Sequence, residues 1–177
     1  MTSLPKNKEQ RVAVFIDVQN LYHSAKHLYQ SRVNFREILR MAVSGRKLIR
    51  AFAYVVRTKT GEERAFFDAL TAVGIETRVK DLQEYYGGLK KADWDVGLAV
   101  DAIKISDSVD TIVVVSGDGD YVPLVEYLQY HGKLVEAMAF GRSTSTKLRE
   151  AVDEFVDLEG SDKYLLKAPR WPIKIIK

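Results

Sequence analysis

Asp17, Asp93, Asp95, Asp118 and Asp120 all stand where an expected strand ends or an expected helix begins. Carboxylates gathered on one rim suit a hard divalent cation, because Mg²⁺ takes oxygen ligands, keeps several waters and needs only two or three carboxylates. A cation held this way activates water and steadies the phosphoryl oxygens of a phosphodiester. The same carboxylates without a cation repel one another, and one of them holds its proton to higher pH. The most informative stretch is Ser116-Gly117-Asp118-Gly119-Asp120, which follows the β-branched run Thr111-Ile112-Val113-Val114-Val115. Five such residues read as a buried strand, and the glycines let the chain turn where it ends. At the amino end, Val12 to Ile16 runs directly into Asp17. A lone aspartate at a strand end is more often a turn former or a helix cap than a ligand. The argument therefore rests on the coincidence of several stations. Asp93 taken alone reads as a cap. Asp101 lies six residues beyond Asp95, about 240° round a helix, so the two do not share a face and Asp95 is the better member of the cluster. Asn20 begins the first helix and would orient Asp17, contact a phosphate, or simply cap.

The elements that must carry these residues alternate. Strands are expected over 11–17, 48–56, 75–82, 111–115 and 134–140, with 48–56 so apolar that both its faces should be covered. Helices are expected over 19–29, 35–41, 62–73, from Asp93 or Asp95 to Ile105, from Pro123 to Gly132, and over 145–155. Asn34 and Glu37 form a capping-box-like start, and Gly45 and Gly74 are stop signals. Gln83 to Lys91 reads as a loop. This alternation predicts a parallel, doubly wound α/β sheet in one domain, residues 11–158, followed by a basic C-terminal tail, residues 159–177.

Composition narrows the function classes. The apolar fraction is 46% and the charged fraction 29%, as in globular proteins, and there are no cysteines to make disulfides or thiolate metal sites. No window reaches the roughly 18 apolar residues of a membrane span, so no membrane partner is expected, and the lack of cysteine suits a cytoplasmic location. The net charge is only +3, but 161–177 carries Lys163, Lys167, Arg170, Lys174 and Lys177 against Asp162, which is +4. A basic tail with Tyr164 and Trp171 interleaved would touch a phosphate backbone, stack a base, or pack onto the domain as a solubilising end. The phosphate-binding Gly-x-x-x-x-Gly-Lys, the dinucleotide Gly-x-Gly-x-x-Gly and the hydrolase Gly-x-Ser-x-Gly are all missing. His23, His27 and His131 are scattered and read as surface residues.

Three motifs in order, Phe15-Ile16-Asp17-Val18-Gln19-Asn20, Asp93 to Asp101, and Ser116 to Tyr121, resemble the NYN domain in its LabA-like branch, within the PIN-like nuclease superfamily. Ser145 to Leu158 resembles that family's closing helix and strand. The resemblance implies a three-layer α/β/α sandwich with a mostly parallel sheet of five or six strands, a Mg²⁺ or Mn²⁺ cofactor, and RNA, single-stranded, as partner. Carried over by position, Asp17, Asp95 and Asp118 would bind the metal, Asp120 would be a fourth catalytic acid, and Asn20 and Ser116 would support them. Trp94 is bulky for its place, and with Asp93 beside it the choice of second acid among Asp93, Asp95 and Asp101 stays open here. Lys90, Lys91, Arg142 and Lys147 are candidate phosphate contacts. Tyr85-Tyr86 and the apolar tail residues permit a homodimer. The function expected is metal-dependent hydrolysis of RNA. The alternatives are a non-catalytic RNA-binding or regulatory module on the same fold, and a phosphohydrolase acting on nucleotides or small phosphates.

Overall fold

The structure is a computed structural model that describes residues 6–57, 63–84, 90–91 and 93–166. Its centre is a six-stranded parallel sheet of β1 (Arg11–Asp17), β2 (Lys47–Arg57), β3 (Glu76–Asp81), β4 (Thr111–Val115), β5 (Leu134–Ala139) and β6 (Glu154–Asp157), in the order β3-β2-β1-β4-β5-β6. The helices are α1 (Val18–Tyr29), α2 (Phe35–Val43), α3 (Arg64–Ala72), α4 (Asp95–Ile105), α5 (Val122–Tyr130) and α6 (Thr146–Ala151).

Strand side chains alternate, so a central strand feeds two cores. Val12, Val14 and Ile16 of β1 pack with Leu21 and Ala25 of α1, Ile38 of α2 and Leu70 of α3 on one face. Ala13 and Phe15 pack with Leu98 of α4, Leu128 of α5 and Leu148 of α6 on the other. Helices on both faces of a parallel sheet make the three-layer sandwich that the alternating elements predict. It also explains why β1 and β4 read as unbroken apolar runs: Val12 to Ile16 and Ile112 to Val115 are all fully buried.

Four expectations change. The first four residues of β2 are exposed, Leu48 and Ile49 included, because β3 joins only from the level of Phe52. The last helix stops at Ala151 instead of running to Phe155. Val152 is extended, and Asp153 clamps the chain onto β5: its N–H donates to Val135 O at 2.9 Å while its Oδ2 accepts from Val135 N at 2.8 Å. The released segment pairs as β6 and makes the sheet six-stranded. Asp93 is not the cap of α4; that place is held by Trp94, which makes no side-chain capping bond. Where a loop was expected over 83–91, Gln83–Glu84 and Lys90–Lys91 pair antiparallel. Asn34 caps α2 as expected, accepting from Glu37 N, and Gly74 ends α3 with φ +86°.

Candidate metal centre

The strand order runs outward in both directions from β1 and β4, and in such sheets the crevice beyond the carboxyl ends of those two strands is where ligands bind. Ile16 of β1 is level with Val115 of β4, so Asp17 and Ser116 emerge side by side. Asp17 caps α1: it is extended (φ −79°, ψ 93°) and its Oδ1 accepts from Asn20 N at 3.0 Å. Buried Ser116 donates through Oγ to Asp17 Oδ2 at 3.2 Å and accepts from Asp118 N at 3.2 Å. The Asn20 side chain returns the tie, its Oδ1 accepting from Gly117 N at 2.9 Å. Asn20 and Ser116 thus hold the β1 and β4 ends together.

The turn after β4 is pressed against the segment that follows β5. Gly117 O accepts from Ser145 N at 2.9 Å, and a Cβ on Gly117 would lie 3.1 Å from Ser143 O and from Thr144 Cα. Those neighbours are backbone and cannot swing away, so this is a glycine position because of close approach. Asp118 then accepts from Asp120 N at 3.0 Å and starts the short turn Gly119–Tyr121 that leads into α5. Asp95 is the first residue of α4, where the unpaired N–H groups favour negative charge.

Carboxylate oxygens of Asp95, Asp118 and Asp120 lie within 4.8 Å of one another. Asp17 is set behind this trio and is joined to it through Tyr121, which is 1% exposed. The Tyr121 hydroxyl lies 3.0 Å from Asp95 Oδ1 and 3.4 Å from Asp17 Oδ2. Burial, reinforced by Asp17 and Asp95, holds the phenol protonated far above its ordinary range, so one O–H serves two carboxylates. Asp17 is raised from its ordinary value, first by burial and then by Asp95 and Asp118, against the opposing bonds from Asn20 and Ser116. Asp95 is raised by burial, then by Asp118, Asp93 and Asp120, against its bond from Tyr121. Among the described residues no lysine or arginine makes an ion pair with any of these four acids.

The donor set fits Mg²⁺ or Mn²⁺: it is carboxylate oxygen without nitrogen or sulfur, and its like charges are relieved when a cation enters. Asp101, the rival second acid, faces elsewhere. It accepts from the Tyr54 hydroxyl at 3.0 Å and lies 3.6 Å from Arg78 Nε. Trp94 fits its place because Gly97 leaves room for it; a Cβ there would sit 2.7 Å from the ring. The indole N–H donates to Val55 O at 2.9 Å, and the ring packs on Tyr54 beneath Lys80.

Of the expected phosphate contacts, Arg142 is already engaged. Its Nε donates to Glu159 Oε2 at 3.0 Å and its guanidinium lies over Tyr29. Lys147 is exposed in the first turn of α6. Lys90 and Lys91 lie in the short antiparallel pair. Tyr85, Tyr86 and the tail from Lys167 lie outside the described residues. Tyr121 closes the third sequence motif and is the functional residue that spacing alone does not pick out. The only signal in the sequence is its place one residue past Asp120, inside the turn that carries the acids.

The comparisons agree with this architecture. The NYN domain model matches residues 11–159. The chain is 25% identical over 171 residues to the low amplitude and bright protein LabA of Synechococcus elongatus, covering 92% of this chain and 91% of that protein. A crystal structure of VPA0982, a Vibrio parahaemolyticus protein of unknown function, superposes with a TM-score of 0.82 at 33% identity, covering 92% of this chain and all of that one. The chain belongs to the NYN domain family, on a PIN-like α/β fold.

Proposed function

We propose that this protein is a metal-dependent ribonuclease. The observation that carries the reading is the convergence of Asp95, Asp118 and Asp120 at the crevice beyond β1 and β4, with no ion pair to them among the described residues. These three carboxylates would hold Mg²⁺ or Mn²⁺, with Asp17 as the buried fourth acid. When bound, the ion supplies Lewis acidity to a phosphoryl oxygen and lowers the pKa of water. The chain's own groups do the positioning. Asn20 and Ser116 fix Asp17, Tyr121 fixes Asp95 against it, and the Asp118 side chain fixes the backbone of Asp120. In the reaction water adds to phosphorus and one P–O bond breaks, leaving a phosphate end and a hydroxyl end.

The substrate we assign is single-stranded RNA, with Lys147, Lys90 and Lys91 as the remaining phosphate contacts and a homodimer as the working form. Incubation of labelled single-stranded RNA with the protein and Mn²⁺ or Mg²⁺ should give cleavage that chelator abolishes and that Asp118→Asn lacks. Salt-dependent RNA binding without cleavage would replace this reading with a non-catalytic module. Cleavage of free nucleotides but not of RNA would replace it with a phosphohydrolase.

A further inference from the structure

A hollow of about 970 Å³ lies along the outer face of α1. Tyr22, His23, Lys26, His27 and Gln30 line it, all exposed and all within about 140° of the helix circumference, and Arg32 joins them. The end of the helix brings Arg32 there. Gln30 takes the left-handed conformation (φ 49°), its N–H donates to Lys26 O at 3.0 Å and Ser31 N donates to Ala25 O at 3.4 Å, so the chain folds back beside the last turn. No acid lines the hollow. Arg11, Arg50, Arg57 and Arg142 each hold a carboxylate of this chain, whereas Lys26 and Arg32 make no ion pair among the described residues. The Lys26 ammonium lies instead 5.6 Å from the centre of the Tyr22 ring, and Tyr22 is 45% exposed. The hollow belongs to the same end of the sheet as the acids. Helix α1 starts at Asp17, its Ser24 Oγ accepts from Ser143 Oγ at 2.9 Å, and its Tyr29 ring packs on Phe140; both partners follow the carboxyl end of β5. Arg32 pairs antiparallel with Leu166, beyond the carboxyl end of β6, and the sequence continues from there with Lys167, Arg170, Lys174 and Lys177 and no acid.

We propose, resting on the reading of RNA as substrate above, that this hollow is the groove that holds a single RNA strand, with Lys26 and Arg32 on phosphates and Tyr22 stacked on a base. Phosphate contacts supply affinity through cations that the protein itself leaves unpaired, and an exposed aromatic ring beside them takes any base. Tyr22 lies five residues past Asp17, about 7.5 Å along the helix axis, and Gln30 lies about 12 Å further on. A strand laid from Gln30 toward Tyr22 therefore reaches the rim of carboxylates within a few nucleotides. Those carboxylates repel phosphate until a cation is bound, so α1 is the part of this rim that holds the strand without metal.

Fluorescence anisotropy of a labelled single-stranded oligoribonucleotide, titrated with the full-length protein in chelator, tests this. The expected result is binding that the double variant Lys26→Ala with Arg32→Ala weakens at least about tenfold at low salt. The slope of log affinity against log salt should fall by about 1.4, the share of two phosphate contacts on a single strand. Tyr22→Ala should weaken binding at least about fivefold and leave that slope unchanged. Lys104→Ala removes one charge from the exposed face of α4 and should change nothing. The substituted side chains are exposed and alanine favours helix, so the variants should keep the fold, with circular dichroism as the check. No RNA binding, binding indifferent to both the double variant and Tyr22→Ala, or an equal loss from Lys104→Ala would overturn the proposal. So would tighter binding of a duplex, whose paired bases cannot stack on Tyr22, or of polyglutamate, which would make the hollow a site for acidic peptides. No cleavage enters these measurements. A strand held in the groove but never cut sinks only the ribonuclease reading, and metal-dependent cutting by a protein whose variants all bind normally sinks only the groove.

Discussion

The two ends of the sheet treat charge in opposite ways. Toward the amino end, each buried or half-buried acid has a base from the same chain. Glu136 of β5 is gripped by Arg46 through bonds of 2.6 and 3.0 Å with both side chains buried, and Lys6 bridges it to Glu154. Arg11, at the start of β1, binds Asp110 through its backbone N–H and two guanidinium nitrogens. Those bonds hold the Asp110 carboxyl down at about 2. At the carboxyl end, Asp17 and Asp95 are pushed up, and the described residues offer hydroxyls and backbone N–H groups but no cation. One end is a finished structural network. At the other, burial and like charge at Asp17 and Asp95 favour a proton or a metal supplied from outside.

The largest effects should separate these ends. Asp118→Asn should cut RNA cleavage by about 10³-fold, equivalent to about 4 kcal/mol of barrier. Its melting temperature without metal should be unchanged or higher, since one like charge is gone. Arg46→Ala should do the reverse, costing about 3 kcal/mol in urea unfolding because buried Glu136 loses both guanidinium bonds and keeps only the 3.5 Å pair with Lys6. A destabilised Asp118→Asn, or a neutral Arg46→Ala, would break the contrast.

Metal binding should sharpen it. Asp17 and Asp95 are raised, so above the ordinary 3.8 the folded state retains protons that the unfolded chain has lost. Stability without metal therefore falls as pH rises through that window. A divalent cation competes with those protons, so its stabilisation should grow with pH and reach about 1–2 kcal/mol when the ion is in tenfold excess over its Kd. Thermal melts with and without Mn²⁺ at several pH values would show it; equal stabilisation at pH 4 and pH 7 would count against an acidic metal site. Tyr121→Phe should lower cleavage about tenfold, since a hydrogen bond to a charged group is worth about 1.5–3 kcal/mol. It should also move the acidic limb of the pH–rate profile to higher pH, because Asp95 loses the bond that favours its ionised form; an unmoved limb would deny Tyr121 that role. The smallest effect is Asp110→Asn. Its pair with Arg11 is nearly half exposed, so the loss should stay under about 1 kcal/mol. That difference should be full above the ordinary value of 3.8 and vanish as pH falls toward 2, read from paired acid titrations of stability.

The parts legible in sequence were those fixed by local pattern. The β-branched runs ending in Asp17 and Ser116 gave the central strands, and the central strands gave the rim. Helix phase put Asp95 and Asp101 on different faces and favoured Asp95, while the choice of second acid stayed open until the Tyr54 bond placed Asp101 elsewhere. What escaped depended on partners distant in the chain. Arg142 looked available until Glu159, 17 residues on, was seen to hold it. The four residues of β6 are too few to show a period, and only the Asp153 clamp on Val135 separates them from the preceding helix. Leu48 and Ile49 in the exposed start of β2 are as apolar as the residues buried after Arg50, so those two positions could not say where β3 begins. Asp120, implied by the resemblance only as a fourth acid beside the metal ligands, is brought into the trio by a turn whose geometry no spacing rule supplies.

The indole wedged beside Gly97 has a use in the laboratory. Trp94 directly precedes Asp95 in the chain, its ring is fixed between Tyr54 and the Lys80 ammonium, and the sequence holds only one other tryptophan. Its emission is therefore a built-in optical gauge of the acidic crevice, read in a cuvette without a label and free of any assumption about substrate.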